Sequence, residues 1–537
     1  MPALVSSIMT DTVAFKTNRA AHLELIDQFR QLEKRVCDNS SRVQLKFRER
    51  NQLLPRERIN LIVDRDAAFV ELCSLCGLGM HDDDGAENVL GGGIIAGIGF
   101  IAGVRCLISA SDAGIKGGAL QPSGIDKIIR AQTIAMENKL PFVQLVESAG
   151  GNLLHQAEIF VKAGGVFANL ARLSAAGVPV VSVVHGSSTA GGAYQVGLAD
   201  YVVMVRGRSK VFLAGLPLLK AATGEIAEEE ALGGARLHSA VTGVGDYLAD
   251  DDAGALNVAR QILRKMPWDR KPRSSIAVRP PRYDAEDILG LVSVDYRKPY
   301  DVREIIARIV DDSDFLEFKA NYGSFTICGH AEIDGHPIGV IGNNGPIDSD
   351  GASKATHFIQ LCCQSGTPLV FLQNTTGFMV GVSAEESGIV KHGSKMIQAV
   401  TNATVPKITI QIGASFGAGH YAMCGRAFGS RFVFSWPNTR IAMMGGEQAA
   451  KVLSIVSEEK ARARGHEPDY EQIAAVRARI VAAYDKQSEA LYGTARLWDD
   501  GLIDPRDTRR ILSFCLSTCM EGNRRRLIPN VFGVARM

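Results

Sequence analysis

Two short clusters of small residues are where this sequence can do chemistry. Gly186-Ser-Ser-Thr-Ala-Gly-Gly-Ala-Tyr194 and Gly413-Ala-Ser-Phe-Gly-Ala-Gly-His-Tyr421 each follow a β-branched run and precede a stretch compatible with helix. Backbone N–H groups at a helix start have no intrahelical partner and carry the positive end of the helix dipole. Small side chains let a ligand oxygen come close to them. Two such amides aimed at one point form an oxyanion hole, where each donor contributes about 3–4 kcal/mol of transition-state stabilisation. The plainer reading is that small residues only pack a helix against a sheet, and the occurrence of two clusters in matching contexts weighs against it. Neither cluster carries the Lys-Ser/Thr of a phosphate loop, and no GxGxxG with a distant acid is present.

A second chemistry is written over the first. Gly413-Ala-Ser415-Phe-Gly417 fits the GxSxG nucleophile elbow of serine hydrolases, with His420 and His392 as nominal bases. The other cluster breaks that pattern at its last glycine. Cys73-Ser-Leu-Cys76 is a CxxC with no second pair at zinc-ribbon spacing, so buried thiols are expected there and no metal. His185 and His357 beside apolar runs read as core or surface histidines, and Cys362-Cys363 as core. Arg524-Arg-Arg526 reads as a solvated or subunit-facing patch, and Gly91-Gly-Gly93 as a loop into a strand.

The elements that must position these clusters occur twice. Leu140-Pro-Phe-Val lies 227 residues before Thr367-Pro-Leu-Val, Val178-Pro179 lies 227 before Val405-Pro406, and the two glycine clusters share that offset. Upstream, Gly97 and Gly103 match Gly329 and Gly335 at 232. Shared offsets of this kind are the mark of a tandem duplication. Within each copy two Pro-led strands start 38 residues apart, enough for a helical crossover between parallel strands. Short apolar runs bounded by turn residues, Val180 to Val184 and Ile408 to Ile412 among them, predict a sheet buried on both faces in an α/β fold. The Pro- and charge-rich stretch from Arg264 to Arg282 predicts the seam, with domains over 1–275 and 276–537. From Glu447 to Leu497 long amphipathic helix is expected, interrupted near Arg464-Gly-His-Glu-Pro468, and Asp504-Pro505 turns into a final helix.

Composition narrows the class. Of 537 residues, 46% are apolar and 22% charged, and 59 Lys and Arg nearly cancel 58 Asp and Glu. A net charge of +1 excludes a protein held on nucleic acid by bulk charge. Glycine, at 55 residues, is in excess and sits in clusters, where backbone must turn or approach a ligand. Ten scattered cysteines, no signal-like apolar segment and no membrane-length run predict a soluble, reduced, cytoplasmic protein without a membrane partner.

At these residues the sequence is similar to the carboxyltransferase (β) subunit of biotin-dependent acyl-CoA carboxylases. The blocks that carry the resemblance are Ser188-Thr-Ala-Gly-Gly-Ala-Tyr194, Phe212-Leu-Ala-Gly215, Lys220-Ala-Ala-Thr-Gly-Glu225, Leu232-Gly-Gly-Ala235, Asn374-Thr-Thr-Gly-Phe-Met-Val-Gly381, Gly417-Ala-Gly-His-Tyr-Ala-Met-Cys-Gly-Arg426 and Met444-Gly-Gly-Glu-Gln-Ala449. It covers nearly the whole chain and points to the branch of 3-methylcrotonyl-CoA and geranyl-CoA carboxylases more than to the propionyl- or acetyl-CoA enzymes. The resemblance implies two crotonase-like domains (ββα superhelix) in tandem and a β6 core within an α6β6 complex. It implies an active site between the N-domain of one subunit and the C-domain of another. It also implies a separate α subunit that carries biotin and supplies biotin carboxylase. This chain has no biotin-attachment Met-Lys-Met and no ATP-grasp signature, so it is expected to be inactive alone with ATP and bicarbonate. By position, the amides of Gly191 and Gly192 would receive the thioester oxygen of an acyl-CoA, with Ala190, Ala193, Gly164 and Gly165 at the acyl group. The amides of Gly417 and Ala418 would receive the biotin ureido oxygen, with Phe416, Gly377 and Phe378 beside it, and no metal is called for. One departure bears on substrate. Ala163-Gly164-Gly165 stands where methylcrotonyl-type relatives carry bulk, and Pro346-Ile-Asp348 lacks an aromatic. Less bulk admits a longer acyl chain, which favours geranyl-CoA. A propionyl- or acetyl-CoA carboxyltransferase, a serine hydrolase using Ser415 and a scaffold with decayed holes remain alternatives.

Overall fold

The computed structural model describes residues 3–81, 83, 89–268 and 279–534, without the side chains of 217 and 218. It is an α/β protein with two similar mixed sheets. The first holds β1 (Val70–Leu72), β2 (Ile94–Ile101), β3 (Val104–Ser111), β4 (Phe142–Ser148), β5 (Val180–Thr189), β6 (Tyr201–Val205), β7 (Lys210–Phe212) and β8 (Tyr247–Ala249). Its order is β1-β2-β3-β4-β5-β6-β8, with β7 continuing alongside the far end of β5. The second holds β9 (Leu316–Glu317), β10 (Thr326–Ile333), β11 (His336–Asn343), β12 (Leu369–Thr375), β13 (Lys407–Phe416), β14 (Phe432–Ser435) and β15 (Arg440–Ala442). Its order, β14-β13-β12-β11-β10-β9 with β15 on β13, repeats that of β1 to β7, and β8 at the edge of the first sheet has no counterpart in it. In each, an antiparallel hairpin (β2–β3, β10–β11) leads into parallel pairs.

The prolines set this pattern. Pro141, Pro179, Pro368 and Pro406 each stand just before a parallel strand, and all four strands are buried nearly throughout. With both faces covered, β5 needs no polar alternation. Val181 and Val183 join Val143, Leu145 and Val203 in one core with Leu256, Ala259 and Leu263 of the helix Asp252–Lys265. In the second copy Leu369 and Phe371 pack with Phe358, Ile359 and Cys362 of the helix Ser349–Ser365 and with Met396 and Val400 of the helix Ile389–Asn402. Each such aliphatic side chain stabilises by about 1.5–3 kcal/mol when fully buried.

The expected strand runs are longer than their β-branched cores. β5 continues through Ser187 and Ser188 to Thr189 and β13 to Phe416, so the first half of each glycine cluster is strand and only the second half is helix. Long helices fill the Ala/Arg/Glu-rich stretch, Gly446–Ala463 and Tyr470–Ser488, with the break where Gly465 and Pro468 put it. The division at 275/276 lies outside the described residues. The chain forms two compact units, one of Met1–Arg30, Ser274–Thr494 and Trp498–Ser517, the other of Gln31–Arg273, Ala495–Leu497 and Thr518–Met537. The N-terminal segment therefore belongs with the second repeat and the C-terminal segment with the first.

Candidate active site

In both copies the fourth and fifth strands run in register until their last residues, and then the fifth strand bulges. Val146 pairs with Val184 but Ser148 pairs with Ser188, and equally Gln373 pairs with Gln411 but Thr375 with Ser415. A bulge of this kind bends the strand and re-aims the chain beyond it. Each bulged strand ends at one residue with positive φ, Ala190 (φ 51°) in the first copy and Gly417 (φ 55°) in the second, and a short helix begins there. Ala190 is a non-glycine residue in a sparsely populated region, a conformation that costs about 1–3 kcal/mol and persists where surroundings enforce it.

The repeat therefore places Ala190 at the position of Gly417. Ala190 donates its N–H to the Phe212 carbonyl at 3.2 Å, so the donors of the helix start begin at Gly191. Gly191 is half-buried, Gly192 is buried, and their equivalents are Ala418, exposed, and Gly419, buried. The pair matching Gly191–Gly192 is Ala418–Gly419, one residue further along than Gly417–Ala418. Gly417 is the kink, and Ala418 is the first helical amide.

Packing joins a second source of amides to each helix start. After β4 the chain turns at Gly150 (φ 86°), and after β12 at Gly377 (φ 119°). The Gly150 N–H reaches Ser148 Oγ and the Gly377 N–H reaches Thr375 Oγ1, both at 3.2 Å. The turns are tied down by equivalent bridges, Leu120 to Gly151 and Ile347 to Phe378. A Cβ on Gly192 would lie 2.9 Å from Ser188 Oγ and 3.0 Å from Ser148 Cβ, and a Cβ on Gly419 would lie 2.8 Å from Gly377 Cα. The helix start thus lies directly on the turn, with no space for a methyl group. Sequence singled out Gly377 as a site residue but not Gly150, its repeat-equivalent; the offset of 227 between them is the signal that finds it.

The other predicted residues separate into those at this junction and those behind it. A Cβ on Gly191 would meet Phe167 Cζ at 3.2 Å, and the Phe167 ring stands edge-on to Tyr194 at 5.9 Å. Gly164 is one helical turn before Phe167 on the helix Gln156–Ala175, exposed and with open space around it. Gly165 instead lies against Ile129 of the helix Pro122–Glu137, and Ala193 is buried. The Phe416 ring is buried edge-on to Tyr296 at 5.3 Å, and the Phe378 ring packs over Gly393, so neither ring is turned to a ligand face.

Ser415 does form a hydrogen bond with His420 Nδ1, at 2.8 Å, but it is fully buried within β13 and donates to Gln373 Oε1 at 2.7 Å. Burial holds the His420 imidazole at about 4, neutral at physiological pH. A nucleophile elbow exposes its serine, and this one is enclosed. His185 is likewise core. Burial, and then the Arg58 charge, lower its pKa, and its Nδ1 contacts Asp252 at 3.0 Å. Burial alone would raise Asp252, but the His185 hydrogen bond and the Arg58 charge outweigh it and hold that carboxyl at about 2. Among the described residues no group of three His, Cys, Asp or Glu side chains is placed to hold a metal ion. No helix there is long and apolar enough to cross a membrane, and all ten cysteines are free thiols.

On the first copy a cleft of about 720 Å³ opens beside the junction, lined by Ser148, Ala149 and Thr189 and by Arg50, Arg208 and Lys210. It lies at the carboxyl ends of the parallel strands, where open α/β sheets bind ligands.

Each sheet of the duplicated fold thus carries a junction at which helix-start amides pack on a strand-end glycine turn. The sequence profile of the carboxyl transferase domain matches residues 46–534. The chain is 48% identical over 489 residues, 91% of both chains, to a probable biotin-dependent acyl-coenzyme A carboxylase beta2 subunit of Mycobacterium tuberculosis. It is 44% identical over 555 residues, 99% of this chain and 95% of the relative, to a probable mitochondrial methylcrotonoyl-CoA carboxylase beta chain of Drosophila melanogaster. The crystal structure of the geranyl-CoA carboxylase beta subunit of P. aeruginosa superposes with a TM-score of 0.94 at 55% identity, covering 100% of both chains. The chain belongs to the carboxyl transferase domain family. Within it, this is the carboxyltransferase (β) component of a biotin-dependent acyl-CoA carboxylase, of the branch that holds the methylcrotonyl-CoA and geranyl-CoA enzymes.

Proposed function

We propose that this chain moves the carboxyl group of carboxybiotin, carried by an α subunit, to the γ-carbon of a branched enoyl-CoA, with geranyl-CoA preferred over 3-methylcrotonyl-CoA. The observation that carries the reading is the pair of equivalent junctions, each with a helix-start amide (Gly191, Ala418) packed on a strand-end glycine turn (Gly150, Gly377). In the first copy the amides of Gly191 and Gly192 receive the thioester oxygen as the substrate loses its γ-proton, and the enolate extends through the double bond. In the second copy the donors run from Ala418 to Gly419, with Gly377 beside them, and they fit a neutral ureido oxygen that gains negative charge. Biotin supplies the activated carboxyl group and a ureido nitrogen basic enough to take the substrate proton. No side-chain base is then required of this chain, whose part is positioning and preorganised donors.

The open space at Gly164, one turn from Phe167 and Gly191, supports the longer acyl chain, as does the 55% identity to a geranyl-CoA carboxylase subunit. An α subunit carrying biotin, a β6 core of an α6β6 complex and a cytoplasmic setting belong to the same proposal. The test is isotopic carboxylation by this chain with its biotinylated α subunit, offering geranyl-, 3-methylcrotonyl- and propionyl-CoA in parallel. A several-fold higher kcat/KM for geranyl-CoA is expected. Equal or better turnover of 3-methylcrotonyl-CoA would remove the chain-length reading and leave the reaction, and no carboxylation of any of the three would remove both.

A further inference from the structure

Beneath the two junctions the repeats place different side chains in the same cradle. The penultimate residue of the fourth strand is Glu147 in the first copy and Asn374 in the second, 227 residues apart. Each side chain lies against the glycine of the facing bulge. A Cβ on Gly186 would come within 2.5 Å of Glu147 Oε1, and a Cβ on Gly413 would collide with Asn374 Oδ1. Around Asn374 the setting is neutral: the Tyr300 hydroxyl stands beside the same glycine and donates to the Ile412 carbonyl at 3.0 Å.

Around Glu147 it is ionic, and Glu147 and Gln52 also line the cleft beside the junction. Arg58 Nη1 donates to Glu147 Oε2 at 2.7 Å, and the Arg58 side chain is 1% exposed. Gln52 Nε2 donates to Glu147 Oε1 at 3.3 Å and to the His185 carbonyl at 3.0 Å. Arg58 Nε lies 3.5 Å from Asp252, which also accepts from the Leu53 N–H at 2.7 Å and meets Arg208 at 3.4 Å. One buried network therefore holds the ends of β4 and β5, the segment before the helix Pro55–Ile62 and the start of the helix Asp252–Lys265.

Resting on the proposed reaction, the geometry points to Glu147 as a positioning residue for the acyl-CoA half of it, acting through the Ser148–Gly150 turn. Ser148, the next residue, accepts the Gly150 N–H and flanks Gly192, so it touches both sources of amides. The Glu147 carbonyl is in close contact with Gly118, whose own carbonyl accepts the Ala149 N–H at 3.2 Å. A shift of the carboxylate moves this turn relative to the helix start. Neutralising it leaves the buried Arg58 with Asp252, at 3.5 Å, as its remaining carboxylate partner, so the guanidinium is drawn toward Asp252 and away from the turn. The second copy has a neutral amide, Asn374, at the equivalent position, so the ionic device belongs to one half-reaction only.

The experiment uses the assembled complex with its carrier already carboxylated, in single turnover. Transfer to acyl-CoA is followed beside the acyl-CoA-independent loss of CO2 from the carrier, which reads the second copy alone. Glu147→Gln is expected to slow transfer at saturating acyl-CoA at least tenfold, with the acyl-CoA concentration for half-saturation within twofold and the CO2 loss unchanged. Gln52→Leu, which keeps the ion pair and removes one hydrogen bond to the same carboxylate, is expected to slow transfer about threefold with the same selectivity. It carries the test should Glu147→Gln fail to assemble. Wild-type transfer by either assembled variant, or an equal fall in both readings, overturns the positioning role. A wild-type complex that carboxylates no acyl-CoA overturns the reaction itself, and the two failures are thereby told apart.

Discussion

A methyl group on Gly192 has nowhere to go, because Ser188 Oγ and Ser148 would lie at 2.9 and 3.0 Å from it. A methyl on Gly419 meets backbone, Gly377 Cα, at 2.8 Å. On Gly419 the helix start must shift against backbone, and on Gly192 the flanking serines must move, so the helix-start amides no longer point where they did. Removing one oxyanion donor costs about 10²–10³ in rate. Gly192→Ala is therefore expected to slow carboxyl transfer to acyl-CoA at least 100-fold while the acyl-CoA-independent loss of CO2 from the carrier stays near wild type. Gly419→Ala is expected to depress both, because transfer needs the second hole as well. A Gly192→Ala complex with full transfer activity would remove the hole from the first copy. Asp499 allows a residue-scale test of a different kind. Burial raises its carboxyl to about 6, against hydrogen bonds from Ser435 at 2.6 Å and the Gly501 N–H at 3.0 Å. An acid whose folded pKa is raised binds more protons in the native state, so its contribution to stability is full below the unfolded value near 4 and is lost as pH rises through 6. Asp499→Asn escapes that loss. Its melting temperature relative to wild type is expected to rise between pH 4 and pH 7, by an amount corresponding to about 2 kcal/mol, and a pH-independent difference would contradict the burial argument.

At the scale of elements, the proposed acyl preference turns on the helix Gln156–Ala175. Gly164 and Phe167 are three residues apart and so share a face, and Phe167 reaches Gly191. Gly165 points the other way, onto Ile129. Gly164→Phe should place a second ring beside the first, where a long acyl chain would run, while Gly165→Phe should force two helices apart. The expected outcome for Gly164→Phe is a kcat/KM for geranyl-CoA reduced at least tenfold relative to that for 3-methylcrotonyl-CoA, with the fold intact by melting temperature. An unchanged ratio would take this helix out of the specificity argument. The same helix shows what sequence could and could not deliver. Strand–helix order, the internal repeat and the two clusters were legible because Pro-led apolar runs and a constant offset of 227 are local signals. The kink behind the donor register was not, because Ala190 and Gly417 read only as small residues and nothing in their spacing shows a positive φ. Gly164 and Gly165 look alike in sequence, and only packing separates them. The Arg58–Glu147 pair spans 89 residues and leaves no periodic trace.

At the scale of the whole molecule, each repeat leaves the same face uncovered. Leu153 and Tyr194 of the first are 85% and 51% exposed, and their repeat-equivalents Val380 and Tyr421 are 81% and 50% exposed. Leu154, Phe160 and Val161 extend the first face, and Val382 and Val390 the second. Scattered exposed apolar residues are ordinary, but a contiguous set beside a reaction site marks a surface that another partner covers. A face repeated on both halves of a duplicated chain suits a two-fold arrangement, in which the first-repeat face of one copy meets the second-repeat face of another and the reverse. That pairing would bring the two kinds of hole into one chamber, which the reaction needs because the carboxyl group must pass from one to the other. Leu153→Asp and Val380→Asp each place a charge on one of the two faces without touching an amide donor, a turn glycine or a core side chain. Each is expected to lower the mass measured by light scattering toward that of a single chain at micromolar concentration and to abolish carboxyl transfer, while the melting transition of the separated chain persists. In a mixed two-fold pair one junction carries both charges and the other carries neither, so mixing the two variants is expected to restore at most half of the transfer activity. Full-sized, active assemblies of both variants would show that these faces lie open in the working enzyme and that the chamber is built elsewhere.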